Sequence, residues 1–300
     1  MDLHVYIVDA FATCRFGGTP IGVVADAEGL KEEEYQIIAN ELRASLTAFA
    51  EPVDKDVFRT RYFTSKTELE GSGQGSLALF YVLTSLGYIK AIENGVKLVY
   101  EVNRNSKKKV YIYYKDYKIE NLEIEVSRPE ILNTSPDISN MLSSMSLSTA
   151  DIGIDGAKEA RAMVVKAEEN TLIVPIRTRQ ALYGYTIDEF KFRDAAKSIG
   201  VENVHLFYQA EDGFYYVRNY TKDLAFEEDS SSAYANAALH YYLIKNKLTT
   251  KLKAKMLQGE TMNRPSRVQT RYLEDKDSAF ITVMGTARIS LDGILNVQMD

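Results

Sequence analysis

The chain has 300 residues and a mass of 33.8 kDa, which is enough for two domains of ordinary size. Hydrophobic residues make up 45% and charged residues 26%, a balance typical of globular proteins and not of disordered ones. The net charge of −6 argues against a general nucleic-acid-binding protein, and no apolar run approaches the roughly 20 residues of a membrane-spanning helix.

Alternating and helical patterns of apolar residues predict the first elements. Strands are expected over residues 4–11 and 21–25, separated by a turn at 16–20 that contains Gly-Gly-Thr-Pro. Residues 31–43 are predicted to form a helix, because apolar side chains recur there at helical spacing. Its first turn carries Glu32, Glu33 and Glu34, where the helix dipole favours negative charge.

A strand pair, a glycine-rich turn and an apolar helix follow. The strands are predicted at 47–52 and 57–63, the turn at 70–76 and the helix at 77–86. Three more strands are expected at 95–102, 109–114 and 122–126. A helix that is apolar on all sides is usually buried. Strands wrapped around a central helix therefore fit this half better than a doubly wound sheet.

The second half repeats this plan. A helix at 188–199, strands at 204–209 and 213–220, a polar turn at 227–232 and an apolar helix at 233–244 are predicted in the same order. A constant offset places Ala39 on Ala196, Phe49 on Leu206 and Arg61 on Arg218. We interpret the pattern as a domain duplication. The predicted halves are 1–127 and 128–285, with a boundary near Ser127-Arg128-Pro129, and 286–300 is expected to pack back on the first half.

Cysteine and histidine are scarce. The single cysteine, Cys14, excludes an intramolecular disulfide and a multi-cysteine metal site, and we expect it to be partly buried. The three histidines form no HxxxH or HxH pair, so a zinc site has little support. No basic segment followed by a long apolar stretch marks a signal peptide near Met1. These features predict a cytoplasmic protein without a metal.

Several short motifs occur in order along the chain. They are Phe16-Gly17-Gly18-Thr19-Pro20, Ser45-Leu46-Thr47-Ala48-Phe49, Arg61-Tyr62-Phe63-Thr64, Glu228-Asp229-Ser230-Ser231-Ser232 and Gln258-Gly259-Glu260 with Arg264-Pro265-Ser266. As an ordered set they resemble the PhzF-like (phenazine biosynthesis-like) branch of the diaminopimelate-epimerase superfamily. The matches span nearly the whole chain.

The resemblance implies an α+β fold of two pseudo-symmetric halves, each a strand-rich barrel around a central helix. It implies a homodimer, an active site in the cleft between the halves, and no metal or other cofactor. The activity it implies is isomerisation, in which a carboxylate moves a proton between carbons of a small acidic substrate. Other members of the superfamily use a cysteine pair, which one cysteine cannot supply.

The resemblance also shows which positions of the active site have changed. The family's proton-shuttling acid corresponds to Leu46, which cannot carry a proton. Glu41 and Glu70 are weaker substitutes: Glu41 lies about one turn earlier in the preceding helix and is expected to point elsewhere, and Glu70 is expected to be a solvated residue at the rim. Asp229 matches the acidic residue of the second half and is the remaining catalytic candidate, although an acid near a helix start is also stabilised by the dipole alone. Tyr234 stands where the family has a small residue and is expected to narrow or close that pocket.

The beginnings of the two apolar helices are candidate binding sites for a small anionic metabolite. The first comprises Gly73, Gln74, Gly75 and Ser76, with Gln74 where the family has a histidine, and the second contains Ser231 and Ser232. The alternative for the first is a purely structural turn with Ser76 as the N-cap.

Two functions remain open. One is an isomerase or epimerase that acts by proton transfer on a small carboxylate. Losing a general acid or base costs about 10²–10⁴-fold in rate, so the family's usual reaction is expected to be slow or absent. The other is a catalytically inactive protein that binds a small anion or a partner protein.

Overall fold

The computed structural model describes residues 2–104, 106–126, 128–157, 160–275 and 278–297. The chain divides into two compact units, Met1–Glu125 with Met284–Asp300, and Val126–Val283. Ser127, at the predicted boundary, lies outside the described residues. Strands outnumber helices in both units, and the strand-rich α+β class predicted from the sequence is confirmed.

Among the described residues up to 126 there are eight strands and two helices. In chain order they are β1 (Asp2–Ala10), β2 (Thr19–Val24), α1 (Glu32–Leu42), β3 (Leu46–Asp54), β4 (Val57–Phe63), β5 (Glu68–Leu69), α2 (Gly73–Ser85), β6 (Gly95–Val102), β7 (Lys107–Lys115) and β8 (Lys118–Val126).

The remaining elements are ten strands and four helices among the described residues. They are β9 (Glu130–Asn133), α3 (Ser139–Ser144), β10 (Met163–Ala167), β11 (Glu169–Pro175), α4 (Arg179–Gly184), α5 (Glu189–Ile199), β12 (Asn203–Gln209), β13 (Tyr215–Thr221), β14 (Glu227–Asp229), α6 (Ala233–Lys245), β15 (Lys253–Gln258), β16 (Ser266–Asp275), β17 (Ser278–Gly285) and β18 (Ala287–Asn296). No helix in the described ranges is long and apolar enough to cross a membrane.

A buried helix with a serine cap lies at the centre of each unit. Ten of the thirteen residues of α2 are buried, and α2 packs against β1, β2, β3 and β18. Ten of the thirteen residues of α6 are buried as well, and α6 packs against β10, β11, β12 and β16. Strands must cover such helices on several sides because they have no polar face to expose.

The register of the strands repeats between the units. β2 pairs with β3 in parallel and β3 with β4 antiparallel, just as β11 pairs with β12 and β12 with β13. Phe49 lies opposite Arg61, and Leu206 opposite Arg218, which are the residues that the constant offset matched. The same local architecture is therefore built twice from different side chains.

Each unit also contains a partly buried arginine–glutamate pair. Arg61 donates to Glu68, and its guanidinium lies 4.4 Å above the ring of Tyr35. Arg218 donates two hydrogen bonds to Glu228, and its guanidinium lies 4.3 Å from the ring of Tyr185. Removing an arginine that is paired and stacked in this way lowers the free energy of unfolding, because the glutamate carboxylate that remains is poorly solvated.

We expect Arg218→Met to lower the free energy of unfolding by about 2 kcal/mol, because it strands the Glu228 carboxylate, which is only 13% exposed. Urea denaturation measures this loss. Arg193→Met is the control: its partner Glu189 is 75% exposed, and the pair should contribute about 0.5 kcal/mol or less. Equal losses in the two variants would contradict the prediction.

Three local predictions differ from the structure. The apolar helix in the first unit begins at Gly73, not at residue 77, because the glycine-rich turn itself adopts the helical conformation. Residues Glu227–Asp229 form β14 and not part of a turn, since they pair with β13. Strands β9, β10, β11, β15 and β16 and the short helices α3 and α4 were not predicted.

The last strand, β18, pairs with the first strand, β1. β18 pairs antiparallel with β1 from Asp2 opposite Asn296 to Ala10 opposite Ala287, while β2 pairs with the other edge of β1. Residues from the two ends of the chain therefore lie side by side in one unit.

Candidate active site

The beginning of α6 collects the residues that the sequence singled out in the second half. Asp229 ends β14 and is only 3% exposed, and Ser231 and Ser232 are buried as well. Ser232 is the N-cap of α6, since its hydroxyl accepts from the backbone N–H of Ala235. The Asp229 carboxylate accepts from the Ser231 N–H at 3.3 Å, so it lies against the backbone that leads into the helix.

A row of polar side chains crosses the neighbouring strands on the same face of the sheet as Asp229. We call it the polar row, and it consists of Glu169, Asn203, His205, Asn219 and Asp229. Asn219 lies directly opposite both His205 and Asp229, and Thr171, two residues after Glu169, lies opposite Asn203. Residues directly opposite or two apart share one face of a sheet.

Hydrogen bonds connect most of this row. The carboxyl of Glu169 and the amide of Asn203 are 2.6 Å apart, and the amides of Asn203 and Asn219 are 3.2 Å apart. Nδ1 of His205 lies 3.1 Å from Oδ1 of Asn219. The row is thus a continuous chain from Glu169 to the buried imidazole.

Two further amides hold the segment before α6 in place. Asn236 donates to the carbonyl of Ser232 at 2.6 Å and to Oε1 of Gln258 at 2.9 Å. Gln258 in turn donates to the carbonyl of Asp229 at 2.7 Å, and Ser266 donates to that of Ser230. The backbone on either side of the carboxylate is fixed by side chains from β15, β16 and α6.

Burial shifts the titration of two groups in the row. Desolvation is the main cause that raises the pKa of Glu169 to about 8, and the negative charges of Asp223, Glu202 and Asp229 add to it. Burial lowers the pKa of His205 to about 4, and the neighbouring amides of Asn219 and Asn236 oppose that shift. Burial therefore favours the uncharged form of both groups.

The beginning of α2 is more tightly filled. Gly73, Gly75 and Ser76 are buried and Gln74 is half-buried. A Cβ on Gly75 would lie 2.6 Å from the Tyr62 ring and 3.1 Å from Cδ1 of Leu46, so only glycine fits there. The N-cap is Ser72, not Ser76 as predicted, because the helix begins earlier and Ser72 accepts from the Gly75 N–H at 3.1 Å.

A carboxylate from the same unit lies beside this helix start. Glu101 is buried on β6 and accepts from the hydroxyls of Thr60 at 3.0 Å and Tyr62 at 2.7 Å. Oγ of Ser76 lies 2.7 Å from its other oxygen. Burial, followed by the charge of Glu101, raises the pKa of Tyr62 well above its ordinary value. Ser76, predicted to bind a ligand, is thus engaged by Glu101.

The structure places the remaining predicted residues as follows. Leu46 is 6% exposed and contacts the helix start, and Tyr234 is 7% exposed in the first turn of α6. Glu41 and Glu70 are exposed. Cys14 is also exposed, and the expectation that it is partly buried was wrong.

Sequence reasoning missed Glu101, Glu169, Asn203 and Asn219. One signal was available: the offset that matches Arg61 with Arg218 (218 − 61 = 157) also matches Leu46 with Asn203 and Glu101 with Gln258. The match of Leu46 with Asn203 shows that a position that is apolar in the first half is polar in the second. In the described ranges, no three His, Cys, Asp or Glu side chains are grouped to hold a metal ion.

Comparisons with known proteins agree along the whole chain. The family model described as phenazine biosynthesis-like protein matches residues 8–293. The uncharacterized isomerase YddE of Escherichia coli (strain K12) is 26% identical over a 301-residue alignment that covers 96% of this chain and 97% of the relative.

Two solved structures show the same fold. The phenazine biosynthesis protein of the PhzF family from Bacillus anthracis superposes with a TM-score of 0.86 at 20% identity, covering 99% of this chain and 100% of its own. A hydroxyproline epimerase from Agrobacterium vitis, with bound trans-4-hydroxy-L-proline, superposes with a TM-score of 0.63 at 12% identity and covers 99% and 93%.

Proposed function

Because the chain belongs to the phenazine biosynthesis-like (PhzC-PhzF) family, we propose that it isomerises or epimerises a small carboxylic acid by proton transfer, with Asp229 as the group that carries the proton. The observation that supports this most is the placement of Asp229. Its carboxylate is buried, fixed by the Ser231 N–H, and lies at the beginning of a buried helix.

This placement suits a general base and an anionic substrate together. A buried carboxylate is poorly solvated, so it accepts a proton more readily than an exposed one. The positive end of the α6 dipole, with Ser231 and Ser232 beside it, favours a substrate carboxylate. The epimerase from Agrobacterium vitis holds a ligand of this chemical class.

Leu46 restricts how the proton can return. In the first half no carboxyl stands at the position that the resemblance assigns to the acid, so Asp229 must both remove the proton and return it. Acting from one face, a single carboxyl can move the proton to another carbon of the substrate, whereas epimerisation at one carbon needs a second proton donor on the opposite face. A single carboxyl in this role exchanges the substrate proton with solvent whenever water reaches it between the two steps.

Hydrogen exchange in D₂O tests the proposal. Small carboxylic acids with an acidic C–H next to the carboxyl or to a double bond, including trans-4-hydroxy-L-proline, are incubated with the protein and followed by proton NMR. We expect protein-dependent loss of one C–H signal for at least one acid. Absence of exchange across the panel, with folded protein, would refute proton transfer.

A second candidate is a binding protein without catalysis, and the buried leucine at position 46 is the observation that favours it. In this case succinate or inorganic phosphate should bind at the beginning of α2 and thereby raise the melting temperature of the protein. We expect Gly73→Val to abolish that shift and Gly184→Ala to preserve it, because a Cβ on Gly184 meets nothing within 4 Å. An equal shift in both variants would exclude a ligand at α2.

Other features stay predictions from the sequence. They are the homodimer, the cytoplasmic location, the domain boundary at 127/128 and a ligand site between the halves. Light scattering coupled to size-exclusion chromatography tests the first of these, since a dimer has about twice the 33.8 kDa of the chain.

A further inference from the structure

Two buried atoms next to the polar row make no hydrogen bond with any described residue. They are Nε2 of His205 and Oδ1 of Asn236, on side chains that are fully buried. The two side chains are close enough that Asn236 raises the pKa of the imidazole. Buried polar atoms in folded proteins are almost always paired, so this pair of unsatisfied atoms needs a physical reason.

The reason lies in the direction of the hydrogen bonds. If Glu169 is a carboxylate, it must accept from the NH₂ of Asn203, whose oxygen then accepts from Asn219. The oxygen of Asn219 in turn requires a proton on Nδ1 of His205. A neutral imidazole protonated at Nδ1 has a lone pair at Nε2, and the Asn236 oxygen is also an acceptor, so neither of these two neighbouring side chains can satisfy the other.

One proton on Glu169 reverses every bond in the chain. The carboxylic acid donates to the oxygen of Asn203, the NH₂ of Asn203 to Asn219, and the NH₂ of Asn219 to Nδ1 of His205. The imidazole then carries its proton on Nε2 and donates it to Asn236. The 2.6 Å between Glu169 and Asn203 matches an O–H···O bond and is short for N–H···O.

We propose that Glu169 is a neutral acid that holds one proton for the polar row, and that the tautomer of His205 reports whether this proton is present. The surroundings favour the neutral form. Asp223, Glu202 and Asp229 lie close enough to oppose a charge on Glu169, while Lys222 is the cation that interacts with it. Around His205 the neighbours are the uncharged amides of Asn219 and Asn236.

A neutral Glu169 changes what the site can bind. Glu169 is partly exposed and lies in the same row as Asp229. As a neutral acid it removes one negative charge from the surroundings of Asp229, which favours binding of a ligand carboxylate there. This consequence rests on the proposed function, whereas the location of the proton does not.

Nitrogen-15 NMR of the histidine side chains tests the location directly. The chain has three histidines, and His205 is assigned by the signals lost in His205→Gln. We expect the Nε2–H tautomer of His205 at pH 6 to 7 and a change to the Nδ1–H tautomer as Glu169 loses its proton near pH 8. An Nδ1–H tautomer at pH 6, or an imidazolium there, would overturn the proposal.

The variant Glu169→Gln shows whether Glu169 or another titrating group causes the change of tautomer. The amide of glutamine does not titrate and can donate to Asn203 at every pH, and that orientation lets Nε2–H of His205 pair with Asn236, so His205 should keep the Nε2–H tautomer up to pH 10. In the control, Glu202→Gln, the change of tautomer should persist with its midpoint at lower pH, since one opposing charge is gone. A change that survives in Glu169→Gln would overturn the assignment. Because these readouts need no substrate, their failure is distinct from a failure of the isomerase proposal.

Discussion

Gly259→Ala should lower the free energy of unfolding by about 4 kcal/mol. A Cβ there would lie 2.3 Å from the carbonyl oxygen of Arg264 and 2.8 Å from that of Ser230. Both are backbone atoms and cannot move alone. The φ angle of +78° adds the strain of a left-handed residue, about 1–2 kcal/mol, to an overpacking cost of about 1–3 kcal/mol.

Gly200→Ala is the matched control for this prediction. Gly200 has the same φ of +78°, but a Cβ on it meets nothing within 4 Å. The Gly200→Ala variant should therefore lose only about 1–2 kcal/mol of its free energy of unfolding, from the backbone strain alone. Urea denaturation of both variants separates strain from crowding, and equal losses would show that the contact with Ser230 and Arg264 has no cost.

Asp229→Asn should reduce proton exchange on the substrate by about 10²–10⁴-fold, which is the usual cost of removing a general base. Asparagine keeps the oxygen that accepts from the Ser231 N–H, so the segment before α6 should stay in place. The amide cannot take a proton at neutral pH. The exchange rate measured by NMR in D₂O checks the loss, and an unchanged denaturation midpoint shows that the fold is intact.

Asp155→Asn serves as the control for Asp229→Asn. The Asp155 carboxylate is 81% exposed and pairs with Arg177. The rate at which the Asp155→Asn variant exchanges the substrate proton should match that of the wild type. If Asp229→Asn also exchanged at the wild-type rate, Asp229 would not be the proton carrier, and a base in another position would have to be sought.

Local patterns were enough to predict most elements of the first unit, but in the second unit only α5, β12, β13 and α6. Helices α1 and α5 were placed within one residue of their ends because each buries one stripe, and Asp188 caps the second. Strands β10 and β11 were missed for a local reason. They are joined through Glu168, a non-glycine residue with φ of +75°, and no Gly, Pro or Asn marks the turn there.

The site was predictable only in part, because its chemistry depends on pairing between distant strands. Asp229 could be found from the Glu-Asp-Ser motif. Nothing near Glu169 in sequence reveals that Asn203 lies 2.6 Å away, and nothing near Glu101 reveals the hydroxyls of Thr60 and Tyr62. A glutamate in a strand is ordinary until the partner strand is known.

The pairing of β1 with β18 has a consequence for synthesis on the ribosome. The edge of β1 that β18 covers stays unpaired until residues Ala287–Asn296 have left the exit tunnel. The first unit therefore cannot complete its sheet before β18 emerges, although its other strands are made first, whereas the elements from β9 to β17 are already present by then. An exposed strand edge invites pairing with other chains during that delay. We expect the nascent chain to depend on chaperones at this edge, and the second unit to mature before the first.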